Sequence, residues 1–404
     1  MGQRKKLQSS WIMVGCAWLL VFGVFTLMFC VPPMEHIIRQ ELSLSHSQTG
    51  LLFSLPTLMV AVIAIPGGLL ADRIGIRKAA GIGAVILVLG GIMRGTATSF
   101  GALLGFTVLF GVGFGLIFPN LPKLVAGWIT AGKTGLATGI YSTGVAIGEA
   151  LALAITLPVI FPVTNSFQGT FYIWSIPAIV ATILWWIVVK EPQHSLEGQQ
   201  LNRGSKSSYI IWKSRDLWLV AFMLFALNLY FFTWAGWTPE LMRQKGASPD
   251  LAAFITSVIT WASIPAMFLL PWISDKIGLR KPVIWVPAII LALGALGANY
   301  ISVTLGWFLM TVVGFMCGSF SILLALPVEL APREYVGTAS GMMLTIGYLG
   351  GLIGPWLAGY IIEATGTLDL VFFILFGVAL AMAVMAFLVT ETGARARQPA
   401  SIVA

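Results

Sequence analysis

Charge is scarce in this sequence. Asp, Glu, Lys and Arg make up 9% of its 404 residues and apolar residues 58%, where a soluble globular domain carries roughly 25% charged side chains. So few charges cannot cover a water-facing surface, which excludes a soluble enzyme and places the chain in a membrane; a mean hydropathy of +0.93 agrees. Cysteine is scarcer still. Cys16, Cys30 and Cys317 all fall in apolar runs, and the first two share one run, so no disulfide framework is implied. Nothing in the pattern calls for a metal or another cofactor.

What the sequence has in abundance is apolar runs long enough to cross a bilayer, which needs roughly 20 residues per helix. Twelve are expected, at 11–34, 48–70, 80–98, 101–124, 135–160, 169–189, 217–239, 250–272, 283–300, 303–327, 337–361 and 367–389. The first is too long for a cleaved signal peptide and is expected to be retained. With the N-terminus inside, 19 of the 23 Lys and Arg residues fall on the cytoplasmic side, and only Arg39, Arg94, Arg243 and Lys245 lie toward the other. That skew places both termini in the cytoplasm of a bacterial-type inner membrane. The basic residues sit in short loops and form no continuous face, so the net charge of +8 does not point to nucleic acid. The expected partners are the lipid bilayer and a small-molecule substrate, with the chain working as a monomer.

The chain is built twice. LLADRIGIRK at 69–78 returns as WISDKIGLRK at 272–281, placing Asp275 203 positions after Asp72. GLATGIYSTGVAIG at 135–148 is echoed by GTASGMMLTIGYLG at 337–350. The expected organisation is a six-helix bundle over 1–190, a polar linker over 191–213 and a second six-helix bundle over 214–404. Glycines spaced along the fifth and eleventh spans, such as Gly144 and Gly148, and Gly347, Gly350 and Gly354, suit close approach of helix backbones.

Parallel six-helix repeats suit a transporter whose halves rock about a midplane site. With its repeated decapeptide, the chain resembles the major facilitator superfamily over essentially its whole length. The family signature between helices 2 and 3 reads approximately G-x-x-x-D-R-x-G-R-K. Gly68, Asp72, Arg73, Gly75, Arg77 and Lys78 match it, with Ile76 displacing the arginine by one place, and Asp275, Lys276, Gly278, Arg280 and Lys281 form the second copy. A carboxylate there can sit against a helix N-terminus and against arginines, making each copy a latch that breaks when the bundles rock. The resemblance implies an all-α fold of twelve helices in two pseudo-symmetric bundles, with helices 1, 4, 7 and 10 lining a central cavity. Their polar and aromatic positions include Thr26, Asn120, Asn228, Tyr230, Thr233, Trp234, Cys317, Ser319 and Ser321, and Tyr141 and Ser142 on helix 5 join them. Asn120, Tyr141, Asn228, Tyr230, Trp234 and Ser319 are the substrate-contact candidates, together with Arg94. Within the superfamily, GGIMRGTATSF followed by LFGVGFGLIFPNLPKLV is similar to the cyanate and nitroimidazole permeases; the usual arginine of helix 4 is replaced by Thr107.

One motif misleads. GWITAGKT at 127–134 fits the phosphate-loop pattern letter for letter, but a long apolar helix precedes it where a strand should, so ATP binding is not expected. Two charges break the symmetry of the halves. Glu149 faces Gly351 in the repeat, and Arg94 faces Gly297 or Ala298. Both are placed roughly 20 Å from the cytoplasmic surface, and no other charged side chain is expected deep in a span. Ionisable groups at such depth pair or line a watery path. Three readings follow: a structural Arg94–Glu149 ion pair, Glu149 as a proton carrier, or Arg94 as the contact for an anionic substrate. The sequence thus predicts a secondary active transporter of a small, weakly charged solute, with a monoanion and proton coupling as the sharper form. Efflux of aromatic or drug-like compounds is the alternative, and a non-transporting membrane sensor is the alternative of another class.

Overall fold

The computed structural model describes residues 2–129, 134–191, 208–331 and 336–393. Among them lie twelve helices long and apolar enough to cross a membrane. They are built on α1 (Gly2–Phe29), α2 (His46–Ile74), α3 (Ile76–Arg94), α4 (Phe100–Ile117), α5 (Thr134–Ile155), α6 (Phe167–Val188), α7 (Arg215–Gln244), α8 (Pro249–Ile277), α9 (Pro282–Tyr300), α10 (Val303–Cys317), α11 (Val336–Thr365) and α12 (Asp369–Leu388). The chain gathers into two compact units, Met1–Arg203 with Ser248–Ser257, and Gly204–Ala247 with Val258–Ala404.

Local chemistry sets the helix ends. Ser45, Ser99, Ser166, Ser214 and Ser302 each accept from a backbone amide three residues on and start α2, α4, α6, α7 and α10. At α2 the cap is reciprocal, with the Gln48 side chain accepting from the Ser45 amide. Proline punctuates. Pro32 and Pro33 offer no N–H, so α1 stops at Phe29 and the crossing continues through a 3-10 turn, Pro32–Met34, into a short helix, Glu35–Glu41. The first span therefore reaches well past the expected residue 34. α4 likewise breaks into a 3-10 turn, Phe118–Asn120, and resumes as Leu121–Trp128, while α10 breaks at Gly318 and Ser319 and resumes as Phe320–Leu330.

In each unit the first and fifth helices approach until only glycine fits. A methyl group at Gly144 of α5 would lie 2.6 Å from the Trp18 carbonyl of α1; one at Gly350 of α11 would lie 2.1 Å from the Phe225 carbonyl of α7. Lipid chains are as apolar as side chains, so such helices are held by close van der Waals packing and not by exclusion of water.

The two signature turns are also built alike, and by residues outside the signature. Gly75 and Gly278 take φ of +93° and +76°, the left-handed region that glycine enters freely. The chain then starts a new helix with free amides, and a carboxylate from beyond the unit's last helix covers them. Glu191 accepts from the amides of Ile76 (2.7 Å) and Arg77 (2.9 Å). Glu391 accepts from those of Arg280 (2.7 Å) and Lys281 (3.1 Å), and from Thr392 and Gly393 as well. Burial works against the Glu391 carboxylate, but the four amides outweigh it and hold the group below the usual carboxylate range. Helix N-terminal amides with their partial positive charge suit such an anion.

Two outcomes are expected. Gly350→Ala destabilises the purified protein by about 1–3 kcal/mol, the cost of overpacking, whereas Gly341→Ala on the same helix, with nothing within 4 Å of the added methyl, does not; thermal unfolding in detergent compares them. Glu391→Gln lowers the unfolding temperature at neutral pH. Because the folded-state carboxyl titrates below its unfolded value, its contribution is complete above about pH 4.3 and fades as pH falls through the folded value, so the two melting curves converge in acid.

Candidate functional site

The two signature copies share a turn but use their arginines differently. In the first unit Arg77 turns to α6: its Nη2 donates to the Trp186 carbonyl at 2.7 Å, its guanidinium lies 5.7 Å from the Trp186 ring, and the Trp185 indole donates back to the Arg77 carbonyl. Lys123 donates to the Gly68 carbonyl at 3.3 Å, and Arg73 is exposed. The side chain of Asp72 lies outside the described residues, as do residues 130–133 of the phosphate-loop lookalike; what precedes the latter is the helix Leu121–Trp128 and no strand. In the second unit Arg280 sits in an acidic cluster. Its Nη1 donates to Asp275 Oδ1 (2.6 Å) and Ser274 Oγ (3.0 Å), and its Nη2 to Glu329 Oε1 (2.8 Å). The Glu329 bond, then Asp275, raise the guanidinium above its ordinary range against the opposing effect of burial. The cluster lines a cavity of ≈ 280 Å³ with Gly278, Thr392 and Gly393. Lys276 lies over the Trp272 ring at 5.1 Å.

This corrects the expected part of the signature carboxylate. Asp275 is 67% exposed and meets Arg280, not a helix N-terminus; the N-termini belong to Glu191 and Glu391, which motif reading missed. A signal was available, since both glutamates closely follow the sixth helix of their half, 200 positions apart.

Arg94 and Glu149 do not pair. Arg94 is the last residue of α3 and 1% exposed. Its Nη1 donates to the Leu27 carbonyl near the end of α1 (3.0 Å), and its guanidinium lies 4.1 Å from the Phe110 ring and 5.7 Å from that of Phe171. Its Nε and Nη2 are buried and meet no acceptor among the described residues. Glu149 is 6% exposed and forms no ion pair with Arg94. The expected match in depth also fails. α3 starts at Ile76, so Arg94 stands 18 residues in and Glu149 15 residues into α5, or about 27 and 22 Å at 1.5 Å per residue. Nor are they the only charges held inside. Glu35, on the unforeseen extension of the first crossing, is buried, and its Oε1 accepts from Arg39 Nε (3.1 Å) and Thr49 Oγ1 (3.0 Å) and lies 3.2 Å from His46 Nδ1.

The substrate-contact candidates separate into two groups. Asn228, Tyr230 and Trp234 serve the second unit's own interior: Asn228 donates to the Gly347 carbonyl of α11 (3.0 Å), the Tyr230 hydroxyl to the Leu291 carbonyl of α9 (2.7 Å), and Trp234 meets the Phe372 ring of α12 edge-on at 4.9 Å. Asn120 and Ser319 lie at the breaks in α4 and α10. Asn120 donates to the Leu116 and Gly67 carbonyls, while its Oδ1 and the Ser319 Oγ are buried without a partner among the described residues. Tyr141 is buried on α5, two turns before Glu149.

The Major Facilitator Superfamily profile matches residues 17–355 and 232–403. The chain is 28% identical to an uncharacterized transporter of Bacillus subtilis over 89% of each chain. It is 23% identical to the cyanate transport protein of Escherichia coli, covering 86% of this chain and 89% of that one. Its fold is similar to that of a D-xylose-proton symporter, with a TM-score of 0.75 at 17% identity over 95% of this chain and 98% of the other. Twelve membrane-crossing helices, a duplicated six-helix plan, the paired signature turns and these likenesses agree: the chain belongs to the major facilitator superfamily and is a multi-pass membrane transporter, not an enzyme.

Proposed function

We propose that the protein is a secondary active transporter that moves a small monoanion by alternating access, coupled to protons through Glu149. The carrying observation is Glu149 itself: a buried carboxyl on α5, without an ion-pair partner among the described residues, at a position where the other half has Gly351. A group so placed is costly and usually serves function. The similar cyanate transport protein supports a monoanion, as does a buried arginine with unoccupied donors. Discontinuous helices mark solute sites in transporters of this kind, which supports Asn120 in the first unit and Ser319 in the second, at the breaks of α4 and α10, as solute contacts; Tyr141 on α5 is a further candidate. The fixed interior bonds of Asn228 and Tyr230, and the packing of the Trp234 ring on Phe372, suit a supporting role. Asp72 and Asp275 with their basic neighbours act as the gating latches. The distribution of Lys and Arg supports a cytoplasmic membrane location with both termini inside, and the working unit is a monomer without nucleic-acid partners.

Uptake of labelled cyanate into proteoliposomes, measured with and without an imposed pH gradient, tests the coupling. Glu149→Gln is expected to abolish the response to the gradient while downhill exchange persists. A response equal to the wild type's would overturn the assignment of Glu149.

A further inference from the structure

The second unit shows what the corresponding interior looks like without a charge. A shift of 203 positions carries Leu27 onto Tyr230, Val31 onto Trp234 and Gly91 onto Gly294, and a shift of 201 carries Phe171 onto Phe372. The correspondence holds in space: a methyl group at Gly91 would meet Leu27 Cδ1 at 2.9 Å, and one at Gly294 would come within 3.7 Å of the Tyr230 hydroxyl. In the second unit Trp234 packs on Phe372, beside Tyr230 at 5.9 Å. In the first unit only Val31, two residues past the end of α1, stands where α7 has Trp234, and the guanidinium of Arg94 lies near Phe171 instead. An aromatic plug would have filled the slot with no charge to compensate.

Capping the end of α1 uses one of the five N–H donors that a guanidinium offers. The Leu27 carbonyl belongs to a helix C-terminus and supplies about half a negative charge. Phe110 covers one face. The edge carrying Nε and Nη2 is left buried and without an acceptor among the described residues. A buried charge stripped of partners is strongly unfavourable, and buried donors in native structures are almost always met. The protein carboxylate that could have met them, Glu149, does not.

We propose that the Nε and Nη2 edge of Arg94 binds a small monoanion inside the first unit. The ligand class rests on the monoanion reading above. Parallel N–H donors on a guanidinium edge suit an anion with two acceptors side by side, or one shared acceptor. The ion is either the transported solute or a resident counter-ion, and the donors are the same in both cases.

The test uses full-length protein in detergent, titrated with sodium cyanate, sodium nitrate or sodium chloride against sodium gluconate, with thermal stability as readout. Wild type is expected to show saturable stabilisation by at least one small anion and none by gluconate. Arg94→Ala is expected to weaken that anion's apparent affinity about tenfold or more. Arg94→Ala combined with Val31→Trp, which copies the filling of the second unit, keeps the slot packed and is expected to show the same loss with wild-type stability in gluconate. Cyanate uptake by proteoliposomes separates the two sources: a raised KM in the variants identifies the site as the solute's, whereas anion binding without uptake leaves the site standing as a counter-ion site and removes the monoanion transport reading. No saturable stabilisation of the wild type, or equal stabilisation of the wild type and the double variant, overturns the site.

Discussion

A bilayer offers no water to backbone amides and carbonyls, and that constraint organises this protein. Every crossing must be helical, and every interruption must be repaid locally. The break after α1 is followed at once by a 3-10 turn and a short helix, and its Leu27 carbonyl is taken by Arg94. The signature turns are repaid by Glu191 and Glu391, each spanning two amides. These repairs explain why glutamates beyond α6 and α12, and an arginine at the end of α3, are as structural as any core leucine. They also explain the serine caps, which close helix starts without adding charge.

The fold was legible because the signals that carry it are long. Runs of apolar residues and a repeat offset near 200 positions survive any local irregularity, and every crossing after the first lies within about five residues of its expected place. The misses are local and have causes. Starting the third span at residue 80 discounted Arg77 and Lys78 as loop residues, when a positive-φ glycine and a distant carboxylate let the helix begin at Ile76. Ending the first span at residue 34 left Glu35 outside it, when Pro32 and Pro33 only reset the helix and the crossing carries Glu35 into the interior. Both errors arise because charge looks external until its partner is known.

The site was legible in part for the same reason. Symmetry breaking singled out Arg94 and Glu149 correctly as interior charges, but two buried charges need not be neighbours, and the helix register decides which side chains meet. Tyr230 and Trp234 carry the right chemistry for solute contact on the right helix. A helix in a bundle has several faces, however, and theirs turn to α9 and α12. Sequence names the helix; only packing names the face.

The duplicated turns have diverged in the kind of bond they rely on. Arg77 is spent on a carbonyl and an indole ring, contacts that dissolved salt barely touches, while Arg280 is held by three oxygen atoms of acids and a hydroxyl at a half-open cavity. Dissolved ions screen exposed charge pairs but leave dipole and ring contacts largely intact. Two similar pieces of chain thus answer to different solvents: one turn is held by dipole and ring contacts, and its twin by charge pairs that feel the ionic composition of the water that bathes them.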